Sequence, residues 1–224
     1  PGRAAYGNLY IGGYGGELHC VDMRTGALKW VYNDTFSGDQ TPWGLYTLFV
    51  GAIADGKVYC YSSEHSPNIP LYKGSEVRCI DAYTGEEVWG LMSWYAIGSF
   101  GQTAIPVADG KIAYLNVYDM QLYCIGQGPS AVTVDAPATA VSKGQSLLIR
   151  GTVTDVSVGA KKLVEDGKFN VVPAVSDESQ SAWMEYLYMQ KPMPADVVGV
   201  EVRILVTDPS GQTNWVGTAT TDEM

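Results

Sequence analysis

The sequence predicts an all-β protein, and three observations favour that class. A strand–turn–strand motif occurs twice, over Leu18–Trp30 and over Val77–Trp89. Short apolar–polar alternations bounded by Gly, Asp and Pro recur along the chain, which is typical of strands joined by tight turns. The composition includes 26 glycines and 15 tyrosines, and charged residues make up only 17%. That mixture suits short strands better than helices.

The two motif copies share the frame Cys-x-Asp-x-x-Thr-Gly-x-x-x-Trp. The Asp can bond to amides that follow it in a turn, and the Gly can take a positive φ at little cost. A Trp at a fixed place after a tight turn suits packing between neighbouring sheets. The frame is filled by Asp22, Thr25, Gly26 and Trp30 in the first copy and by Asp81, Thr84, Gly85 and Trp89 in the second.

The strands that precede the motif repeat as well. Gly7, Gly56 and Gly110 each precede a strand, at intervals of 49 and 54 residues. A period of about 40–50 residues is expected of propeller blades. The third copy ends near Gly126 without a Thr-Gly turn or a final Trp. Since a closed ring takes about four to eight blades, we predict a partial β-propeller of about three blade-like repeats. Other copies of the chain, or an N-terminal part of the propeller that this chain lacks, would complete it.

Residues 5–128 resemble the quinoprotein-type (PQQ-like) β-propeller repeat, whose signature is Ala-x-Asp-x-x-Thr-Gly-x-x-x-Trp. Cys20 and Cys79 stand where that family usually has Ala. The resemblance implies that each Trp docks against the adjacent blade. It also extends to secreted archaeal and bacterial proteins in which an Ig-like domain follows the repeats, and it implies an extracellular or cell-surface location.

The same resemblance bears on cofactors. A quinoprotein dehydrogenase would need a full ring, calcium-binding carboxylates on its axis and, in the alcohol dehydrogenase branch, a vicinal pair of cysteines. None of the four cysteines here are adjacent in the sequence. We therefore expect no cofactor and no metal in this chain.

The pattern changes after a Gly/Pro/Ser-rich segment at residues 126–131. Later strand patterns, among them Glu201–Thr207 and its hairpin partner Thr213–Thr220, predict an Ig-like β-sandwich. One helix is predicted near 178–190, because an aromatic and apolar stripe follows a capping signal and Pro192 prevents continuation. The predicted domains are propeller repeats over 1–128 and an Ig-like sandwich over 129–224, which ends where a further strand is expected.

Charge and cysteine usage exclude several classes of function. The net charge of −10 argues against nucleic acid and against an anionic membrane surface, since both require Lys and Arg. No apolar run approaches the ~20 residues that a membrane-spanning helix needs, so no membrane insertion is expected. Three cysteines occupy equivalent places in successive repeats, too far apart to form disulfides. We predict four buried free thiols.

Residues suited to catalysis are few. The chain has two histidines. His19 lies on a repeat strand at the place that Arg78 takes in the next copy, and we expect this place to face solvent. His65 lies beside Glu64 and Ser66, and these three residues are the candidate catalytic cluster. They support an alternative function, a polymer-acting hydrolase.

The favoured prediction is a non-enzymatic binding or scaffold protein of the cell surface that recognises protein or surface-glycan partners. Sugar rings stack on exposed aromatic side chains, so the aromatic loops supply the candidate ligand surface. A third hypothesis is a filament or surface-layer subunit whose unpaired strands are completed between chains. The candidate ligand residues are Trp43, Tyr46, Trp94 and Tyr95.

Overall fold

The structure is a computed structural model that describes residues 2–63, 72–95 and 104–222. Strands account for 44% of it and helices for 11%, so the prediction of a mostly β protein is confirmed. The chain divides into two compact units, Pro1–Gly126 and Gln127–Met224. No helix among the described residues is long and apolar enough to cross a membrane.

The first unit contains three antiparallel sheets that follow one another along the chain. In each of them every strand pairs with the next strand in sequence, which is the pairing of a propeller blade. The prediction of a partial propeller with three blade-like repeats is therefore confirmed. The first blade has β1 (Gly2–Ala5), β2 (Asn8–Ile11), β3 (Glu17–Asp22) and β4 (Leu28–Asn33); the second has β5 (Phe49–Ala54), β6 (Lys57–Tyr61), β7 (Glu76–Asp81) and β8 (Glu87–Met92); the third has β9 (Val107–Ala108), β10 (Lys111–Asn116) and β11 (Gln121–Gly126).

The repeated Asp holds each turn as the sequence predicts. Oδ1 of Asp22 accepts hydrogen bonds from the Thr25 amide at 2.8 Å and from the Thr25 hydroxyl at 2.9 Å. Oδ1 of Asp81 accepts hydrogen bonds from the amides of Tyr83 and Thr84, both at 2.8 Å. Because these bonds favour the ionised form, they hold the pKa of both carboxyls below the usual value.

Trp30 lies at the boundary between the first two blades. Gly85, in the turn of the second blade, has a φ of +79°, and a methyl group at that position would lie 2.7 Å from Cδ2 of Trp30. The indole ring therefore packs directly on the Thr-Gly turn of the next blade. Trp89 is partly buried against the core between the second and third blades, and its ring centroid lies 6.2 Å from that of Tyr59 in its own blade.

Each boundary between blades encloses an apolar core, because strand alternation directs one face of every sheet at its neighbour. The thiols of Cys20, Cys60 and Cys79 are buried as predicted, but Cys124 is exposed, which corrects the prediction of four buried thiols. The core between the first two blades is Tyr10, Leu18, Cys20, Leu48, Val50, Val58, Cys60, Ile80 and Ala82. The core between the second and third is Phe49, Tyr61, Val77, Tyr95, Ile105, Ile112 and Tyr114.

The second unit has two hairpins and two helices. Its strands are β12 (Ser130–Asp135) paired with β13 (Arg150–Asp155), and β14 (Glu201–Thr207) paired with β15 (Thr213–Thr220). The predicted helix is α2 (Gln180–Tyr188), and a further helix, α1 (Val158–Glu165), precedes it. The prediction of a single helix is therefore wrong: Ser157 caps a helix that the sequence analysis did not identify, accepting a hydrogen bond from the Ala160 amide at 3.2 Å.

The helices build the core of this unit. Trp183 of α2 is buried in it, so the aromatic stripe of this helix packs in the core. The strands of the two hairpins are mostly exposed on both faces. The sandwich with an Ig-like character thus stays a prediction for this part of the chain. The core consists of Ala160, Leu163, Val172, Val175, Trp183, Leu187 and Val197.

Candidate functional site

The four aromatic residues predicted as a ligand surface separate into two groups. Trp43 is exposed, at 53% of its accessible area. Tyr46, Trp94 and Tyr95 are buried, with 6%, 1% and 5% exposed. A sugar ring cannot stack on a buried side chain, so the prediction is wrong for these three residues.

Packing explains why Tyr46 and Tyr95 are inaccessible. The ring of Tyr46 meets Tyr72 edge-on, with centroids 5.9 Å apart, and its hydroxyl accepts a hydrogen bond from Gln40 at 3.1 Å. Tyr95 packs edge-on against Tyr61 at 5.1 Å, inside the core between the second and third blades. Aromatic residues in loops serve structural packing here, and their sequence pattern does not distinguish this role from ligand binding.

The candidate catalytic cluster, Glu64, His65 and Ser66, lies outside the described residues. In the segments that the structure does describe, no group of three or more His, Cys, Asp or Glu side chains could hold a metal ion.

Trp43 lies in an exposed aromatic surface that also includes Tyr14 and Phe36. Phe36 is 79% exposed and Tyr14 is 41% exposed. The rings of Tyr14 and Trp43 are 5.8 Å apart, and Phe36 pairs with Leu45 in an isolated β-bridge that brings it back beside the Trp43 turn. Large apolar side chains that remain in water on a folded loop indicate an interaction site more often than isolated exposed residues do. We call these three residues the aromatic surface.

Tyr14 also anchors the aromatic surface to the protein core. Its ring packs edge-on against Phe49 with centroids 5.4 Å apart, and Phe49 is a member of the core between the second and third blades. The amide of Leu48, at the end of the loop, donates to the carbonyl of Gly13 at 2.9 Å. The loop that carries Trp43 is thus fastened to the turn that carries Tyr14.

Internal hydrogen bonds hold the loop in one shape. The Ser37 amide donates to the Gly44 carbonyl at 2.9 Å, and the Ser37 and Thr41 hydroxyls are 2.7 Å apart. Gln40, in the 3₁₀ turn Gly38–Gln40, accepts a hydrogen bond from the Lys73 amide at 2.6 Å. A loop that is held in this way presents its aromatic rings with little conformational entropy left to lose on binding.

A buried ion cluster lies at the base of this loop. Arg78 on β7 is 2% exposed, and its Nε donates to Oδ1 of Asp34 at 2.9 Å, where Asp34 is 1% exposed. The two Nη groups reach Glu87 at 2.7 Å, Glu76 at 3.2 Å and the Thr35 hydroxyl at 3.1 Å. Arg78 therefore ties the first residues of the loop to the second blade.

The position of Arg78 corrects the expectation that this place on the repeat faces solvent. His19 holds the equivalent place in the first blade and is partly exposed, with its ring nitrogen 2.9 Å from Glu17. In the second blade the chain leaving the first blade covers the same place, which brings Asp34 over Arg78. The two residues of this pair are 44 positions apart in sequence, so no local pattern could indicate it.

Electrostatics within the cluster follow from burial and charge. Burial raises the pKa of Asp34, and the charge of Arg78 opposes that rise. Burial alone would lower the pKa of Arg78, but the carboxylates of Asp34, Glu76 and Glu87 outweigh it and keep the guanidinium charged. Burial and the hydrogen bond that the Tyr32 hydroxyl donates to Glu87 raise the pKa of Tyr32 far above its usual value.

Comparisons with known proteins add information about fold only. No family model matches the sequence, and no curated protein is similar to it in sequence. Solved structures that are similar in backbone include the following two. One is a europium-containing methanol dehydrogenase, at 14% identity and a TM-score of 0.31, over 57% of this chain and 24% of that one. The other is BamB from Moraxella catarrhalis, at 16% identity and a TM-score of 0.26, over 58% of this chain and 51% of that one.

Both of these proteins are β-propellers, and this chain spans about a quarter of the length of the first and about half of the length of the second. At such TM-scores the likenesses carry no argument about a site or an activity. The propeller architecture rests instead on the strand pairing within this chain and on the Trp30 contact between its blades.

Proposed function

We propose that this chain is a non-enzymatic binding protein that holds a neutral glycan on the aromatic surface. The observation that carries the proposal is the exposure of Phe36 and Trp43 on a loop that is otherwise tightly held. Aromatic faces in water bind the apolar faces of sugar rings, and polar groups around them fix the orientation.

Polar side chains that could fix the orientation of a bound sugar lie beside the aromatic rings. Asp39 and Gln40 lie in the 3₁₀ turn between Phe36 and Trp43, and both are exposed. A carboxylate and an amide offer acceptors and donors to sugar hydroxyls. The net charge of −10 would repel an anionic polysaccharide, which favours a neutral one.

The extracellular or cell-surface location belongs to the same proposal. Support comes from the resemblance of the repeats to those of secreted proteins and from the type of ligand, since polymeric glycans are found at cell surfaces. Fractionation of the source cells, with an antibody against this chain, tests it. Recovery from the cytosol alone would contradict it.

Glycan binding is tested with the full chain on an array of neutral glycans, followed by titration calorimetry with the best-bound sugar. We expect Trp43→Ala and Phe36→Ala each to weaken binding by roughly 5- to 30-fold, since one stacked ring contributes about 1–2 kcal/mol. Neither change should alter thermal stability, because both side chains are largely exposed.

Trp215→Ala is the matched control. Trp215 is also an exposed tryptophan, but it lies on β15 in the second unit, and its loss should leave glycan binding unchanged. Equal binding by the wild type and by both loop variants would refute the proposal. If the wild type binds no glycan but captures a protein that the two loop variants do not, the surface binds a protein instead of a glycan.

A further inference from the structure

Equivalent apolar side chains are buried in the first two blades and exposed in the third. Leu18 and Val77 are fully buried at the equivalent position of the first and second blades, whereas Leu122 in the third blade is 75% exposed. Cys20 and Cys79 are buried, while the equivalent Cys124 is exposed. The third blade thus presents to solvent the face that the other two blades bury.

Strand register establishes that these positions are equivalent. Cys20 lies opposite Tyr10, and Cys79 lies opposite Tyr59. Cys124 lies opposite Ala113 in the same arrangement. In the first two blades this face packs against the following blade, so we call it the trailing face. The trailing face of the third blade is formed by Ala113, Leu115, Leu122 and Cys124.

The surface that covers a trailing face is also known from the chain itself. The second blade covers the first with Val58, Cys60 and Ile80, all fully buried. We call the face that carries such residues the leading face. In the third blade, Ile112 and Tyr114 of the leading face cover Val77 of the second blade. The same pairing of faces therefore occurs twice within one chain.

The first blade has a leading face of its own. Its residues are Leu9, Ile11 and Val21, in the positions that Val58, Cys60 and Ile80 take in the second blade, since Leu9 pairs with Val21 and Ile11 with His19. No residue of the core between the first two blades comes from this face. Ile11 is 40% exposed. Among the described blades, one trailing face and one leading face thus remain uncovered.

We propose that the trailing face of the third blade binds the leading face of the first blade of a second copy of this chain. The two faces complement each other because the chain already packs that pair of faces together twice. Two sets of the three described blades make six, within the range of about four to eight found in closed propellers. A head-to-tail contact between identical chains forms a ring when the rotation closes.

We expect this contact to be weaker than the two within the chain, because it lacks a Trp. Within the chain, Trp30 of the first blade packs on Gly85 of the second. The third blade ends without a Trp that could pack in this way on Gly26 of the other copy. A methyl group at Gly26 would have no neighbour within 4 Å. We therefore expect reversible association that depends on concentration.

Sedimentation equilibrium of the full chain over roughly a hundredfold range of concentration tests the proposal. We expect a species of twice the chain mass of 24.1 kDa. Leu122→Asp places a charge in the contact and should weaken association by roughly thirtyfold or more. Leu205→Asp is the matched control, since Leu205 is an exposed leucine on β14 of the second unit, and it should associate as the wild type does.

A mixing experiment tests the head-to-tail arrangement. Ile11→Asp should weaken association as Leu122→Asp does. A mixture of the two variants keeps one intact contact, between the unchanged trailing face of one and the unchanged leading face of the other. It should associate more tightly than either variant alone. A single-chain mass at every concentration, a ladder of larger oligomers, or a mixture no tighter than its components would overturn the proposal.

Discussion

Replacing Arg78 by Met tests whether the buried ion cluster holds the first two blades and the aromatic loop together. Methionine keeps the length and the apolar stem of the side chain but removes its charge. The guanidinium makes contacts of 2.9 Å with Asp34, 2.7 Å with Glu87 and 3.2 Å with Glu76. All three carboxylates lose the positive charge beside them in the variant.

The expected loss of stability comes mainly from one of these carboxylates. The side chain of Asp34 is 1% exposed, whereas those of Glu76 and Glu87 are 29% and 33% exposed and can be rehydrated. Removing one partner of a buried ion pair typically costs about 3–5 kcal/mol, because the other charge stays buried. We expect the free energy of unfolding of the Arg78→Met variant to fall by that amount at neutral pH.

The effect should depend on pH in a defined direction. Burial already raises the pKa of Asp34, and the loss of Arg78 raises it further. A carboxyl whose pKa is higher in the folded state destabilises the fold progressively as pH rises from the unfolded value, about 3.9, through the folded value. The deficit of the variant should therefore be largest at neutral pH and shrink as the pH falls toward that of the unfolded carboxyl.

Urea denaturation followed by tryptophan fluorescence measures this change, since four of the six tryptophans lie in the first unit. His19→Met is the matched control at the equivalent place of the first blade. Its partly exposed pair with Glu17 should contribute no more than about 0.5 kcal/mol. The double variant Arg78→Met with Asp34→Leu should recover much of the lost stability. If Arg78→Met costs less than about 1 kcal/mol, or no more than His19→Met, the cluster does not hold the blades together.

Three further predictions follow from the turns and the thiols. Gly85→Ala should destabilise the protein by about 2–4 kcal/mol, against about 1 kcal/mol for Gly26→Ala. Both glycines have a positive φ, but only Gly85 contacts Trp30. Equal losses of stability in thermal unfolding would contradict the Trp30 contact. At concentrations where the chain is monomeric, Ellman's reagent should titrate Cys124 in the native protein and the other three thiols only after unfolding. Rapid reaction of two or more native thiols would contradict the buried assignment. Hydrogen bonds from the turn amides lower the pKa of Asp81, so its contribution to stability is present above the unfolded-state pKa and is lost as pH falls through the folded-state pKa. The melting temperature of an Asp81→Ala variant should therefore fall less steeply with acid than that of the wild type. An unchanged slope would show that the turn does not stabilise the fold.

The repeated turns were predictable because their interactions are local. Asp22 bonds to Thr25 three residues later, and Gly26 adopts the left-handed conformation that the motif requires. Such a turn forms wherever the frame occurs, whatever packs against it. The spacing of the frame then sets the blade period.

Helix α1 was missed although its signals are also local. Ser157 caps it, and Gly167 follows its end with a φ of +71°. Gly159 and the β-branched Val158 and Val164 lower the helix propensity of the segment. The burial of one side of the helix against the core of the second unit stabilises it nonetheless, and propensity does not reveal that contribution.

Local residue patterns were enough to predict the strand order, the turns and the blade repeat, since each depends on residues within a few positions of one another. The tertiary structure, in contrast, sets which aromatic side chains meet solvent. Trp43 and Trp94 both follow strands in aromatic-rich loops, yet one is exposed and the other buried. It also decided that Arg78 is covered by Asp34 while His19 is not. Burial depends on what distant parts of the chain bring against a residue, and a repeat specifies the residue but not its neighbour.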